Sequence, residues 1–440
     1  MRVFFALVIV AAAIGACTPA LTPIVDTAPA LKNEPDHNID QDIAYVPPAG
    51  DAPDAVIGQI MAEEASGEAV GESVFASQFL YDLMDNNREK FAKILDDPEQ
   101  YEVQILLTEI SRNMAGQPSF KSYGYGVDAK KYFYPASTVK MAIAALALQK
   151  INTLEGAHRQ CVLNAAHSKN GSIGRSGFTI EKYIQRMIVF SDNIAYNRLY
   201  DFLGQEYINE TLHKMGYLDC QIVRRFDSPT SAASDRINYP CELRTADGAV
   251  VYSRPAIVNE NVYTLQDRDD MSGLLRGKAQ RTSMGKVAAP KEFYDYNYMS
   301  VEVMQQILKA LIFPLSVEES ARFHISGDDL EFLLGCMRGE GSYHKYLLYG
   351  GEGPAKPGVD IYNKTGTAYG NILDNAYIVD AANKIEFMLT AVIYANPNGV
   401  IGGEGYDYVG TGMPFLKDIG RTLYDHYLME NGRKLYGAWF

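Results

Sequence analysis

Residues 131–151 read KYFYPASTVKMAIAALALQKI, and the interpretation of the whole chain depends on this stretch. Aromatic residues at a strand end precede a turn at Pro135, and the apolar run after the turn predicts a helix. Ser137 and Lys140 fall in the first turn of that helix, where residues three apart lie on the same face. A helix N-terminus favours an anionic oxygen, so Ser137 can act as a nucleophile while Lys140 accepts or relays its proton.

The Ser-x-x-Lys spacing occurs three times in the chain, so the spacing alone does not identify a site. The occurrence at Ser283 runs into VAAP (287–290), which cannot continue a helix. The occurrence at Ser342 follows GEG (339–341) and has no strand-like segment before it. Ser137 alone has the strand, turn and helix that would position a nucleophile.

The composition predicts a large folded domain and argues against a nucleic-acid partner. The chain has 440 residues, of which 47% are apolar, enough to bury a core in one or two domains. Its net charge is −14, but residues 18–75 hold eleven acids and one base and account for most of it. The remainder is mildly acidic without a basic stripe, so binding to DNA or RNA is not expected.

Residues 1–17 are typical of an export signal rather than of folded structure. Arg2 precedes a short apolar run, and the sequence IGAC at 14–17 resembles the lipobox of bacterial lipoproteins. That resemblance implies that Cys17 is lipidated and anchors the protein to a membrane; an ordinary cleaved signal peptide is the alternative. Either way we expect an exported protein on the periplasmic side of the cell envelope. Thr18 favours the outer membrane if the cell is Gram-negative.

Residues 18–75 contain seven of the 19 prolines and many acids, so we predict a disordered tether. Residues 76–440 are predicted to form one domain. Strand-like runs at 103–111 and 119–126, and three more between 361 and 395, lie near its two ends with helices between them. We therefore predict an α/β (α+β) fold, with one antiparallel sheet built from both chain ends, flanking helices, and an all-helical lobe at about 141–340.

Two further motifs follow in order, Ser191-Asp192-Asn193 between predicted helices and Lys364-Thr365-Gly366 on a predicted strand. Together the three motifs resemble the signature of class A β-lactamases and penicillin-binding proteins. The likeness extends to YPASTVK (134–140), SDNIAYNRLYDFLG (191–204) and NKTGTAYGNILDNAYIVD (363–380), and covers about 77–227 and 300–432. The chain is identified as a member of the serine β-lactamase and penicillin-binding superfamily, nearest to class A.

The resemblance implies a catalytic role for three residues. Ser137 attacks a carbonyl and forms an acyl-enzyme, Lys140 acts as base or relay, and Ser191 passes a proton to the leaving nitrogen. Burial of Lys140 would disfavour its ammonium form. The alternative for Ser191 and Asp192 is that they only cap the next helix.

The resemblance also implies which residues bind the substrate. These are Asn193, Lys364, Thr365, Gly366 and Thr367. Asn193 donates its amide, Lys364 attracts a carboxylate and Thr365 offers a hydroxyl. Gly366 lets the substrate approach the strand closely, and the backbone N–H groups of Ser137 and Thr367 form the oxyanion hole.

The sequence departs from class A in the loop after the second motif. Class A enzymes carry Arg-x-Glu-x-x-Leu-Asn there, and its glutamate serves hydrolysis of the acyl-enzyme; residues 224–229 here read RRFDSP. Asp227 stands at the glutamate position but is one methylene shorter, and a misplacement of about 1 Å can cost on the order of 100-fold in rate. Asp227 is thus either the deacylation base or a carboxylate paired with Arg224 or Arg225. Glu242 is a further candidate for the base.

A second departure is an extra segment at about 228–300, which compact class A enzymes lack. It follows the loop that would form the floor of the site, so it can cover or reshape the cleft. Its tyrosine-rich piece at 294–298 can equally serve packing alone.

The cysteines and histidines do not predict a cofactor. Four cysteines remain in the exported domain, and we favour pairing of Cys220 with Cys241 because they bracket a loop-like stretch; Cys161 and Cys336 are the other two. There is no CxxC and no HExxH or HxH spacing, so a zinc site is not expected.

Three functions are consistent with these observations. The first is an exported serine hydrolase of β-lactams or related amides, and the second a penicillin-binding D,D-peptidase or transferase acting on peptidoglycan peptides. The third is a non-catalytic envelope-binding lipoprotein, which would not need all the motif residues. We expect a monomer.

Overall fold

The computed structural model describes residues 75–76, 78–227, 231–268, 270–339, 345–351 and 358–437. The predicted signal peptide, Cys17 and the tether up to residue 74 lie outside these ranges, as does Ser342. Within them, no helix has the length and apolar character needed to cross a membrane.

Strands from both ends of the chain form one six-stranded sheet, as predicted. Across the sheet the strands are Phe75–Ala76, Pro118–Tyr125, Gln104–Arg112, Ile385–Tyr394, Asn371–Asp380 and Asp360–Ala368. The first pair is parallel and the other pairs are antiparallel. The two ends of the chain meet where Leu107 faces Leu389. The strand Asp360–Ala368 lies at an edge, so one side of its backbone is open to whatever packs beside it.

Both faces of this sheet are buried, and side chains alternate between two hydrophobic cores. Along the strand Ile385–Tyr394, Phe387 and Leu389 belong to the core that includes the C-terminal helix. Met388 and Val392 belong to the other core, which continues into the lobe. Burial on both faces explains why this strand reads as an almost unbroken apolar run.

Helices flank the sheet and build most of the lobe. The flanking helices are Gln78–Asp85, Arg88–Leu95, Pro98–Tyr101, Val301–Ile312, Tyr346–Tyr349 and Met413–Gly437. The lobe contains Lys140–Asn152, Ile180–Val189, Asn193–Leu203, Gln205–Lys214, Ala232–Asp235 and Gly327–Arg338. Shorter helical turns are Ala136–Val139, Leu265–Asp267, Pro314–Ser316, Glu319–Ala321 and Tyr408–Gly412.

The helix Lys140–Asn152 lies at the centre of the lobe. Eleven of its thirteen residues are buried. It packs against Ile180–Val189, Asn193–Leu203 and Val301–Ile312, so it has no face left for water. A helix with apolar residues on all sides requires such surroundings.

The lobe also contains short strands, so it is not all helical as predicted. Before the extra segment lie Val162–Ala165, Phe178–Thr179 and Cys220–Gln221. Within it lie Ile237–Asn238, Cys241–Arg244, Val250–Arg254, Ile257–Val258, Leu275–Arg276, Ala279–Thr282, Gly285–Val287, Lys291–Glu292 and Tyr298–Met299. A further strand, Val400–Ile401, pairs with Ala279–Thr282. Strands this short produce no periodic sequence pattern.

All four described cysteines are buried free thiols. The favoured Cys220–Cys241 disulfide is therefore wrong. The two residues lie in different small sheets, since Cys220 pairs with Met299 and Cys241 with Ala165. The thiol of Cys220 instead donates to the carbonyl of Tyr217 at 3.1 Å.

Candidate active site

A tight turn presents Ser137 at the start of the central helix. The turn Ala136–Val139 follows Pro135, whose carbonyl accepts hydrogen bonds from the backbone N–H and the hydroxyl of Thr138. Ala136 adopts a φ of +45°, which a side chain disfavours. Ser137 is only partly buried, whereas the other three residues of this turn are buried.

Lys140 is fully buried and lies at the centre of the site. Its Nζ is 3.0 Å from Ser137 Oγ and 3.2 Å from Ser191 Oγ. It also lies 2.5 Å from the carbonyl oxygen of Ser191 and 2.5 Å from Asn193 Oδ1. The last two oxygens can only accept, so Nζ donates to both. A neutral amine would use its two hydrogens there and direct its lone pair towards the hydroxyls.

Ser191 and Asp192, the first two residues of the second motif, make different contacts. Asp192 Oδ1 accepts from the backbone N–H groups of Ile194 and Ala195 and so caps the following helix. Ser191 has a φ of +56° and directs its hydroxyl into the site instead. The capping alternative therefore applies to Asp192.

Lys364 approaches the same hydroxyl from the sheet. Its side chain is 2% exposed, and Nζ lies 3.1 Å from Ser191 Oγ. The Ser191 hydroxyl thus lies between two lysine side chains, from Lys140 and Lys364. Thr365 is opposite Asp374 in the strand ladder, so its side chain lies on the other face of the sheet. The structure brings Lys364 to Ser191 but does not bring the Thr365 side chain with it.

Gly366 allows the edge strand to contact the serine turn. A Cβ at this position would lie 2.7 Å from the carbonyl oxygen of Pro135 and 3.1 Å from Ala136 Cβ. The close approach that glycine permits here is therefore one between strand and turn. It places the backbone edge that carries Thr367 beside Ser137, where the two N–H groups of the predicted oxyanion hole are needed.

Asn193 connects Lys140 to Asp227. Its Oδ1 accepts from Lys140, and its Nδ2 donates to Asp227 Oδ2 at 2.5 Å. Asp227 has a φ of +46° and an exposed side chain, whereas the neighbouring Phe226 ring lies 5.1 Å from Lys140 Nζ. The structure thus brings Asp227 into the site through an amide.

Arg224 and Arg225 form their ion pairs elsewhere. Arg224 Nε lies 2.7 Å from Asp235 Oδ2, and Arg225 contacts both Asp235 and Asp201 at 2.9 and 2.5 Å. These ion pairs connect the loop that precedes Asp227 to Asp201 and Asp235. Asp201 and Asp235 were not foreseen because nothing in the sequence around them links them to this loop.

Glu242, the other candidate for the base, is engaged by a neighbour. Arg244 contacts both of its carboxylate oxygens, at 2.6 and 3.0 Å. The structure shows no contact of Glu242 with the residues around Ser137 within the described ranges.

Aromatic residues of the extra segment line the region next to the serine turn. Tyr134 contacts Phe293 and Tyr296, and all three contact Tyr369, two residues beyond Thr367. The ring centroids in these pairs are 5.0–6.2 Å apart. The tyrosine-rich piece of the extra segment is therefore packed against both chain segments that frame the nucleophile.

Lys140 and Lys364 thus meet at the Ser191 hydroxyl, and Lys140 also contacts Ser137 and Asn193. A family model described as the β-lactamase enzyme family matches residues 88–427. The match spans more than half of the chain, and the protein belongs to this family. It is a serine hydrolase of the β-lactamase and penicillin-binding superfamily, as the motifs predict.

Several solved structures are similar to this chain. A β-lactamase from Sphaerobacter thermophilus DSM 20745 is 14% identical, with 77% of this chain and 97% of that chain covered and a TM-score of 0.44. One from Xanthomonas campestris pv. campestris str. ATCC 33913 is 15% identical, covering 78% and 98%, with a TM-score of 0.44. An acyl-enzyme complex of PBP-A with penicillin G is 15% identical, covering 78% and 97%, with a TM-score of 0.43. A search of curated proteins finds no match.

Proposed function

We propose that this protein is an exported, class A-like serine hydrolase that cleaves β-lactam or related amide bonds through an acyl-enzyme on Ser137. The observation that carries the proposal is the position of Lys140 Nζ, 3.0 Å from Ser137 Oγ and 3.2 Å from Ser191 Oγ. One buried amine can accept the proton of the nucleophile and pass it on to the hydroxyl that faces the leaving group.

The reaction follows from these contacts. Ser137 Oγ attacks the amide carbonyl while its proton moves to Lys140, and the oxyanion is held by the backbone N–H groups of Ser137 and Thr367. Ser191 donates its proton to the amide nitrogen as the C–N bond breaks, and Lys140 returns a proton to Ser191. Lys364 attracts a substrate carboxylate and stabilises the developing negative charge on Ser191.

Deacylation requires a base that activates water, and we propose Asp227. One of its oxygens accepts from Asn193 at 2.5 Å, and the other, which no described residue contacts, can orient a water. If Asp227 is the base, Asp227→Asn slows turnover and lets the acyl-enzyme accumulate. Unchanged turnover in this variant would exclude the role.

A second candidate function is a penicillin-binding D,D-peptidase or transferase on peptidoglycan peptides. The shorter side chain of Asp227 and its bond to Asn193 favour it, because both restrict how far the carboxylate reaches towards an acyl group on Ser137. Such an enzyme would acylate at a normal rate and hydrolyse slowly.

One experiment separates the candidates. The purified protein is incubated with a chromogenic cephalosporin and a penicillin, and both turnover and intact mass are followed. Rapid hydrolysis supports the hydrolase, and a lasting adduct that Ser137→Ala removes supports the penicillin-binding enzyme. Neither turnover nor adduct would count against both and favour an envelope-binding lipoprotein without catalysis.

We also propose that the protein is lipid-anchored through Cys17 on the periplasmic side of the envelope and acts as a monomer. Labelling of cells with an alkynyl fatty acid should modify the wild type and not Cys17→Ala. Light scattering of the purified protein should return the mass of one chain. A labelled Cys17→Ala variant would exclude the anchor.

A further inference from the structure

A β-hairpin of the extra segment projects from the surface of the domain. Its strands, Ala279–Thr282 and Gly285–Val287, are joined by a two-residue turn. The first strand also pairs with Val400–Ile401, and this pairing fixes the hairpin to the body of the domain. Residues 283–288 are all exposed, and a Cβ at Gly285 would meet no other atom of the described residues within 4 Å, apart from its chain neighbours. The tip of the hairpin is therefore surrounded by solvent.

This tip carries an apolar side chain where such turns usually carry Asn, Asp or Gly. Met284, the second residue of the turn, is 91% exposed. Thr282 holds the turn, since its hydroxyl accepts from the N–H of Met284 at 3.2 Å and donates to the carbonyl of Gly285 at 3.1 Å. Val287 on the second strand is also 43% exposed. Apolar side chains held at such a tip gain free energy when they enter an apolar phase.

Basic residues surround the tip and are a local exception to the acidic composition of the protein. Residues 271–291 contain five bases and no acid. Three of these bases, Lys278, Arg281 and Lys286, are exposed and have no ion-pair partner among the described residues. Arg281 and Lys286 lie directly opposite each other in the hairpin. Like charges in this position repel each other, so an anion bound beside them would stabilise the pair.

We propose that this hairpin docks on an anionic phospholipid surface, with Met284 inserted below the headgroups and with Arg281 and Lys286 bound to lipid phosphates. Lys286 lies two residues from Met284, about 7 Å along a strand, and interfacial segments bury their apolar groups about 5–10 Å deep. Long basic side chains extend back to the headgroups from such positions. A soluble polyanion would satisfy the bases but would leave Met284 in water, so the observations favour a lipid surface.

The docking surface is separate from the reaction proposed at Ser137 and does not require the acyl group proposed at Cys17. An acyl chain would attach the protein to a membrane at one point, outside the described residues. A docked hairpin would also orient the domain itself, because its first strand is paired with Val400–Ile401. The Ser283–Lys286 spacing, which has no place in the reaction, falls at the tip of this hairpin.

The test is co-sedimentation of the protein with lipid vesicles. The purified chain from Thr18 onward keeps every residue that the structure describes and lacks the proposed acyl anchor, so its binding reports the protein surface alone. Vesicles of phosphatidylcholine with about one third phosphatidylglycerol should bind it at least about tenfold more tightly than phosphatidylcholine alone, since each base near an anionic surface contributes about fivefold. Added salt should weaken this binding. Because the whole chain is acidic, general attraction to these vesicles is not expected.

Two variants and a matched control locate the contact. Lys286→Glu reverses one charge and offers Arg281 an ion pair across the hairpin, so binding should fall at least about tenfold in a folded protein. Met284→Gln keeps every charge and should weaken binding by about fivefold, because a polar tip gains little from insertion. Lys384→Glu is the control and should bind like the wild type. This exposed lysine precedes the strand Ile385–Tyr394, whereas the hairpin lies beyond the other end of that strand.

Several results would overturn the proposal. These are equal binding to the two kinds of vesicle, unchanged binding in Lys286→Glu or Met284→Gln, and an equal loss of binding in Lys384→Glu. The acidic residues 18–75 are the other candidate partner for these bases. Absence of vesicle binding, together with a larger hydrodynamic radius of Lys286→Glu at low salt, would assign the hairpin to that segment instead of a lipid surface.

Discussion

Substitution of Gly366 by alanine should slow acylation of Ser137 while leaving the protein folded. A Cβ at this position would lie 2.7 Å from the Pro135 carbonyl oxygen and 3.1 Å from Ala136 Cβ. Carbon atoms pack at about 3.5–4.0 Å, so the strand and the serine turn must separate by about half an ångström. Since a misplacement of about 1 Å can cost on the order of 100-fold, this shift predicts about a tenfold slower acylation.

The assay is single-turnover acylation by a fluorescent penicillin, with thermal unfolding measured in parallel. Overpacking of this kind costs about 1–3 kcal/mol of stability, so the variant should still be folded at 25 °C. Gly174→Ala is the matched control, because the nearest atom to its added Cβ is 3.9 Å away. A folded Gly366→Ala variant that acylates within about twofold of the wild type would refute the assumption that this contact positions the nucleophile.

Three further outcomes follow from the contacts. Lys140→Met should slow acylation at least about 100-fold without loss of the fold, as measured by adduct formation with time. Asp235→Asn should lower the free energy of unfolding in urea by about 3–5 kcal/mol, because the buried Arg225 and the partly buried Arg224 both pair with that carboxylate, whereas the exposed Asp295→Asn should change it little. Burial lowers the pKa of Lys150 to about 8; between pH 8 and the ordinary lysine pKa the unfolded chain binds the extra proton, so stability rises with pH. The wild type should gain about 1.5 kcal/mol over Lys150→Met between about pH 8 and pH 9.5, and parallel pH curves would contradict this.

The parts of the fold that the sequence predicts are those with a strong local pattern. The strands Gln104–Arg112 and Pro118–Tyr125 lie within a residue of the runs predicted at 103–111 and 119–126. The helix Gln205–Lys214 starts directly after Gly204, and because glycine usually marks the end of a helix, the sequence does not indicate this one. The short strands of the extra segment depend on pairing with distant residues, and no local pattern records such pairing.

The candidate site likewise contains features that the sequence predicts and features that it does not. The spacing of Ser137 and Lys140 follows from helix geometry, and the order of the three motifs identifies the remaining residues. The contact between Asp227 and Asn193 could not be predicted, because it depends on how a loop folds back across the 34 residues between them in sequence. The face of the sheet on which Thr365 lies is in principle predictable from strand alternation, once Lys364 is assigned to the site.

The link through Asn193 has a consequence for how Asp227 acts. The amide has only one favourable orientation, since its oxygen accepts from the Lys140 amine and its nitrogen donates to the Asp227 carboxylate. Turning the amide over would place an N–H group against the amine and an oxygen against the carboxylate. Asp227 therefore orients Asn193, and through it Lys140, before any acyl-enzyme exists. Loss of the carboxylate should then affect acylation as well as hydrolysis, and only rates measured for the two steps separately can assign Asp227 to the water.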